Sequence, residues 1–297
     1  DRDEPGPLSA MIRAEIAAGG PMRLDRYMAL CNAHYYATRE PFGRAGDFIT
    51  APEMTQAFGE LLGAWCVSVW ESMGRPDPVL LSEAGPGRGT LMADALRLTG
   101  RVAPDFAAAA RVHLIETSPV LRTAQDMRLR GRVAAWHDGI ETLPEGPLLL
   151  LANEFLDALP VRQLLGGGRE RAVSLDGDRL VWTTLATPDA TDPGERSDAV
   201  LAWVAALATR IARGGGAALL IDYGHAGGAV DTLQAVRGHA PADPLATPGE
   251  ADLTAHVDFA AVAAAARAAG AAHEEITVTE ADFWTHLPAI AAASSPA

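Results

Sequence analysis

The residues most open to chemistry lie in the run Asn153-Glu154-Phe155-Leu156-Asp157-Ala158-Leu159-Pro160. It follows a fully apolar segment, Leu148–Ala152, which reads as a central strand. The C-terminal end of such a strand is where open α/β sheets place their ligands. Two carboxylates three positions apart, Glu154 and Asp157, suit a cationic nucleophile, with Asn153 beside them. A guanidinium is planar and presents a fork of donors that carboxylates can hold bidentately. Each charge-assisted bond contributes roughly 1.5–3 kcal/mol. A blander role also fits, with Asn153 and Asp157 capping a helix and Glu154 solvated. A second apolar strand, Ala217–Tyr223, brings Asp222 to a mirrored position, with Tyr223 and His225 as candidates for the substrate side. A lone histidine is more often structural.

A glycine-rich turn, Ser82-Glu83-Ala84-Gly85-Pro86-Gly87-Arg88-Gly89-Thr90, sits between a predicted strand and a predicted helix. Small residues let backbone approach a ligand there, and free N–H groups at the helix start favour polar or anionic groups. A dinucleotide site wants GxGxxG, and Thr90 stands where the last glycine should be. An acid two residues before GxGxG is instead the pattern of S-adenosylmethionine (SAM) methyltransferases, where the turn packs against the amino-acid end of the cofactor. Glu83, Gly85, Gly87, Gly89 and Thr90 are therefore cofactor candidates, although Glu83 could equally cap local N–H groups. Glu116, 27 positions past Gly89 at the end of the next strand, suits both ribose hydroxyls. Trp136, His137 and Asp138 follow the third strand, where adenine would lie. Trp136 reads equally well as core. The Asn-Pro-Pro-aromatic motif of amine and amide methylation is missing after Leu148–Ala152.

These positions need a framework, and the hydrophobic pattern supplies one. Strands are predicted over Val79–Glu83, Val112–Glu116, Val133–Trp136, Leu148–Ala152 and Ala217–Tyr223, the last also as a buried strand. Helices are predicted over Leu91–Leu98, Pro119–Leu129 and Asp198–Arg213. This alternation implies a mostly parallel, doubly wound α/β sheet. Residues 8–36 read as two helices broken at Gly19-Gly20-Pro21. Thr50-Ala-Pro-Glu53 reads as a capping box, followed by a helix with Met54, Phe58, Leu61, Leu62, Trp65, Val69 and Met73 on its buried face. Asp176-Gly-Asp178 signals a hairpin inserted between Ala172–Leu175 and Leu180–Leu185. Residues 186–197 and 224–251 read as loops. Asp252, Thr254 and Asp258 resemble helix-start capping, although they could also reach the site.

Composition excludes several chemistries. The 297 residues are 48% hydrophobic and 21% charged, which fits a globular protein with a sizeable core. All 24 basic residues are Arg, so neither a Walker A lysine nor a Schiff-base lysine can be built. A net charge of −14 argues against nucleic-acid binding. Residues 1–140 carry about −2 and residues 141–297 about −12. That asymmetry either steers a cationic substrate or is a solvated acidic surface. Cys31 and Cys66 are far apart and in no CxxC pattern, which argues against a disulfide framework or a zinc ribbon and fits a reducing compartment. The histidines form no metal pattern, so no metal is expected. No apolar run reaches the ~18 residues of a membrane span, and no signal peptide is seen.

The motifs GRAGDFITAPE, FGELLGAW, EAGPGRGT, HLIETSP, ANEFLDALPV, GAALLIDYGH and DLTAHVDF occur in the order seen in the MidA-like methyltransferases. The chain resembles that family over about Met22 to Phe259; the family takes in a mitochondrial complex I assembly-factor branch and bacterial relatives. The resemblance implies a Rossmann-like class I methyltransferase fold with a helical N-terminal extension over residues 1–76. A SAM-binding domain over 77–297 would follow, with insertions at about 165–197 and 224–251. It implies protein arginine methylation, with symmetric dimethylarginine on a complex I subunit in the mitochondrial branch. By position, Gly85–Gly89 and Glu116 would hold SAM. Gly46, Asp47, Phe48, Ile49 and Thr50 would form a lid-like segment, and Asn153, Glu154 and Asp157 would face the target. The expected partner is a protein with a target arginine, in the bacterial cytoplasm or the mitochondrial matrix, and a homodimer is compatible. Two alternatives stand beside this reading: methylation of a small molecule or another side chain, and a SAM-binding assembly chaperone. The C-terminal THLPAIAAASSPA departs from the family pattern, which leaves the end of the substrate site undefined.

Overall fold

The computed structural model describes residues 6–38, 47, 50–188, 190–228 and 231–271. The chain begins with α1 (Pro7–Gly19), β1 (Met22–Arg23), α2 (Leu24–Thr38), α3 (Ala51–Met54) and α4 (Gln56–Ser72). There follow β2 (Val79–Ala84), α5 (Thr90–Val102), α6 (Pro104–Ala109), β3 (Ala110–Ile115), α7 (Pro119–Leu129), β4 (Val133–His137) and β5 (Leu148–Asn153). Next come β6 (Arg162–Gly166), β7 (Arg169–Asp176), β8 (Arg179–Ala186), β9 (Pro193–Arg196), α8 (Asp198–Gly214) and β10 (Gly216–Ile221). The last described elements are β11 (Gly224–His225), β12 (Gln234–Arg237), β13 (Ala240–Pro241), β14 (Asp252–Thr254), β15 (Val257–Asp258) and α9 (Phe259–Ala268). Among the described residues no helix is long and apolar enough to cross a membrane.

The elements fall into two compact units. One comprises residues 50–153, 204–221 and 263–271, and holds a five-stranded sheet in the order β10-β5-β2-β3-β4. Every pairing in it is parallel. This is the Rossmann-like α/β sheet expected from the alternating pattern. Strand order reverses between β2 and β5, the switch point at which such sheets bind ligands beyond their C-terminal ends. Leu148, Leu149, Leu150 and Leu151 are fully buried because β5 is flanked by strands on both sides. β10 corrects an expectation: it is half-buried throughout and borders the sheet among the described residues.

The Thr50–Glu53 capping box does not form. Thr50 makes no side-chain cap bond, and Glu53, the other half of the box, turns to the Thr90 hydroxyl instead. The next helix is capped by Thr55, whose Oγ1 accepts from the Ala57 N–H at 3.2 Å. That leaves Met54 on α3 and 72% exposed rather than on the core face. The buried face of α4 runs through Phe58, Gly59, Leu62, Gly63, Cys66 and Trp70. A Cβ on Gly59 would stand 2.8 Å from the Leu91 carbonyl, and one on Gly63 2.9 Å from that of Ala95. The two glycines thus allow α4 and α5 to touch backbone to backbone.

The other unit comprises the described parts of residues 1–49, 154–203 and 222–262. Its antiparallel sheet runs β1-β7-β6-β9, with β8 paired to β7. The predicted hairpin is β7–β8, closed at Asp176↔Arg179 around Gly177 and Asp178. Ile12, Tyr27, Met28, Cys31, Val173 and Leu253 form its core. The segments read as loops contain short strands: β9 pairs with β6, and β12 pairs with β13 and β14. Asp252 and Thr254 lie in β14, not at a helix start, whereas Asp258 does cap α9 by accepting the Ala261 N–H at 3.1 Å.

Candidate functional site

In the parallel-sheet unit, β2 ends at Ala84 and α5 begins at Thr90. Gly85, Gly87 and Gly89 between them take φ of 63°, 50° and 77°, a left-handed region that side chains disfavour. Glu83 is 3% exposed, and burial pushes its carboxyl up to about 8 against an opposing Met92 N–H. One of its oxygens, Oε2, is buried with no hydrogen-bond partner among the described residues. An unmet acceptor beside a glycine turn fits a donor such as the ammonium of SAM. The Thr90 hydroxyl is committed to Glu53, and Arg88 Nη1 lies 3.9 Å from the other Glu53 oxygen.

Glu116 follows β3 and is 8% exposed. Its Oε1 accepts from the Ser118 N–H at 2.8 Å, and its Oε2 from Gln125 Nε2 at 3.2 Å. Burial raises its pKa while these donors and the Arg122 charge hold it down. An ionised carboxylate offers about four acceptor sites, so capacity remains for a diol. Trp136 is partly buried against the core, and its indole N–H donates to Gln125 Oε1 at 2.8 Å. His137 has both ring nitrogens engaged: Nε2 lies 3.0 Å from His113 Nδ1, and Nδ1 3.0 Å from Thr142 Oγ1. Asp138 is exposed and pairs with Arg122 Nη2 at 2.6 Å. Arg122 Nε also donates to the Glu116 carbonyl at 2.7 Å, which ties two strand ends together.

Asn153 closes β5, half-buried. The antiparallel-sheet unit carries the rest of the acid-rich run. Glu154 has φ of 50°, left-handed and strained for a residue with a side chain. Asp222 explains how the turn is held. Its Oδ2 accepts from the N–H groups of Phe155, Leu156 and Asp157 at 3.1, 2.8 and 3.2 Å. Burial pushes Asp222 up to about 6 against those donors. Asp157 is raised well above the usual carboxylate range, first by burial and then by the charges of Asp222, Asp252 and Glu154. Asp252, pushed up to about 6 by burial, accepts the Tyr36 hydroxyl at 2.8 Å.

Asp47 is 9% exposed and accepts the Tyr35 hydroxyl at 2.6 Å and the Gly238 N–H at 2.7 Å. Of the other lid candidates, Thr50 precedes α3, while Gly46, Phe48 and Ile49 lie outside the described residues. Tyr223 is 51% exposed, and its carbonyl accepts the Val257 N–H at 2.8 Å. His225 Nδ1 accepts the Gly227 N–H at 3.0 Å, and its Nε2 is buried with no hydrogen-bond partner among the described residues. Among the described residues no group of His, Cys, Asp or Glu gathers in a metal-holding arrangement.

Sequence reading passed over Gln125, Arg122, Glu53 and Tyr36 as site residues. Gln125 left a faint signal: it interrupts the apolar stripe Leu121, Gln125, Leu129 of α7.

Residues 61–277 match a family described as "Putative S-adenosyl-L-methionine-dependent methyltransferase". The chain is 40% identical to the mitochondrial protein arginine methyltransferase NDUFAF7 homolog of Drosophila melanogaster, across 90% of this chain and 72% of that protein. It is 38% identical to the Danio rerio protein arginine methyltransferase NDUFAF7, across 84% and 69%. A Burkholderia thailandensis protein solved with S-adenosyl-homocysteine superposes with a TM-score of 0.73 at 29% identity, covering 91% of this chain and 80% of that one.

Proposed function

The chain belongs to this family of SAM-dependent methyltransferases, and from that premise we propose that it methylates arginine in a protein. When bound, SAM supplies a methyl group activated by its sulfonium. Glu83, the Gly85–Gly89 turn and Glu116 bind the cofactor, with the Glu83 oxygen that lacks a partner receiving its ammonium and Glu116 taking the ribose hydroxyls. Glu154 and Asp157 accept the guanidinium N–H groups, orient one nitrogen and take its proton. Asp222, a catalytic candidate from sequence, becomes a positioning residue: its carboxylate is spent on the backbone of residues 155–157.

The observation that carries the acceptor assignment is the gathering of Asp157 with Asp222, Asp252 and Glu154, three carboxylates whose charges add to burial in raising the pKa of Asp157. A cation entering there relieves their repulsion. The relatives named as protein arginine methyltransferases support the same acceptor. The resemblance to the mitochondrial branch extends the reading to symmetric dimethylarginine on a respiratory complex I subunit. The chain would then act in the matrix of a mitochondrion, or in the cytoplasm of a bacterium.

The test is incubation with methyl-labelled SAM and fractionated cell protein, followed by hydrolysis and amino-acid analysis. Label on arginine is the expected result; label confined to other side chains overturns the arginine assignment and spares the fold. A second reading, a small-molecule acceptor, has one observation in its favour. The antiparallel-sheet unit holds a cavity of about 370 Å³ lined in part by Leu156, Leu159, Val200, His225 and Val257. Label appearing only in the metabolite fraction would support it.

A further inference from the structure

We propose that Gln125 is the residue that positions the cofactor-binding carboxylate and locks it to the glycine turn. The proposal rests on the reading that Glu116 receives the ribose. Gln125 is fully buried on α7, in a stripe where its neighbours are Leu121 and Leu129. An apolar side chain would serve the packing there, and a buried amide is costly unless its polar atoms are met. Here every one is met, and each partner comes from a different strand end. Nε2 donates to the Gly87 carbonyl at 2.7 Å and to Glu116 Oε2 at 3.2 Å, and Oε1 accepts the Trp136 indole N–H at 2.8 Å.

The partners fix which way the amide faces. An indole N–H can only donate, and a carbonyl and an ionised carboxylate can only accept, so a flipped amide would face three mismatches. One side chain therefore sets the spacing of the turn after β2, the acid after β3 and the indole in β4. With Ser118 N–H on Oε1 and Gln125 on Oε2, the Glu116 carboxylate is held in one rotamer. Gln125 also lies close beside the last glycine of the turn: a Cβ on Gly89 would stand 3.5 Å from its Cγ.

The experiment is calorimetric titration with S-adenosyl-homocysteine of four proteins: wild type, Gln125→Met, Glu116→Gln and the double variant. Gln125→Met keeps the volume and removes the hydrogen bonds. We expect it to weaken binding by about tenfold, and to do so much less in the Glu116→Gln background, because coupled residues are non-additive. An equal loss in both backgrounds means a structural role and overturns the proposal, as does unchanged affinity in Gln125→Met. Unchanged affinity in Glu116→Gln instead removes the ribose reading, and the proposal with it. Should Gln125→Met not fold, Gln125→Glu serves. It sets a second carboxyl against Glu116, so binding should be weak at pH 8 and recover towards pH 5.5 as one of the pair takes up a proton. A pH-independent affinity in Gln125→Glu contradicts the positioning role.

Discussion

Carboxylates dominate both regions at the strand ends, but they are held in opposite ways. In the parallel-sheet unit burial raises the pKa of Glu116, but the carboxylate has its own donors, the Ser118 N–H and an amide from Gln125, and these and the Arg122 charge oppose the rise. In the antiparallel-sheet unit Asp157 has other carboxylates for neighbours, and Asp222 and Asp252 are satisfied by backbone N–H groups and a phenol. The first arrangement is finished without further charge and can hold a neutral diol. The second is unfinished, because like charges in a buried place raise one another's proton affinity until a cation joins them. On the function proposed here, the difference separates a cofactor cradle from a region poised for a positively charged acceptor.

The largest effect should come from Glu154→Gln. Methyl transfer should fall by about 10²–10⁴-fold, the range for a lost acid–base group, with S-adenosyl-homocysteine affinity within about twofold of wild type. Calorimetry beside a labelled-transfer assay checks both, and a parallel loss of cofactor binding would erase the division between the regions. Glu116→Gln should do the reverse, weakening cofactor affinity by about 10–100-fold while each surviving bond contributes its roughly 1 kcal/mol. Wild-type affinity in that variant would break the comparison from the other side.

A third test concerns charge. The native pKa of Asp252, about 6, lies above that of the unfolded chain, so the folded state binds more protons between roughly pH 4 and 6. Stability at this site therefore falls as pH rises through that window. Asp252→Asn should raise the melting temperature at pH 8, by the equivalent of about 1–3 kcal/mol, and leave it unchanged at pH 4.5. Scanning fluorimetry at the two pH values decides it, and equal shifts at both would mean that the Asp252 charge is not under strain.

The smallest effect runs the other way in the cofactor unit. Burial lowers His113 and His137, with Arg210 beside both and Arg122 and Asp138 beside His137. Their contribution is present above the ordinary histidine pKa of about 6.5 and is lost as pH falls below it. Hydrogen exchange, corrected for its intrinsic pH dependence, should show β4 amides losing protection by about threefold to tenfold at pH 5.5. Unchanged protection would mean that the imidazole pair carries no pH dependence.

The two regions also differed in how far they could be read from sequence. Glu83, the glycine turn, Glu116 and Trp136 sit in one run of strands and helices, so their spacing singles them out as cofactor candidates. Their support does not show in spacing, since Gln125 points inward from a helix that reads only as amphipathic. The acid-rich region is drawn from α2, the turn after β5, the end of β10 and β14. Tyr36 meets Asp252 across 216 positions, and no local pattern encodes such a contact. Asp222 was visible as an acid at a strand end, but only coordinates reveal three N–H groups converging on it. The failed capping box has a similar origin, because the Glu53 side chain is taken by Thr90, 37 positions away.

The most direct test of the division between cradle and acceptor region is a crystal structure with S-adenosyl-homocysteine and an arginine-containing peptide bound together. Glu116 should lie within hydrogen-bond distance of both ribose hydroxyls, with the guanidinium on Glu154 and Asp157. A ribose facing away from Glu116, or a guanidinium seated away from those two carboxylates, would contradict it.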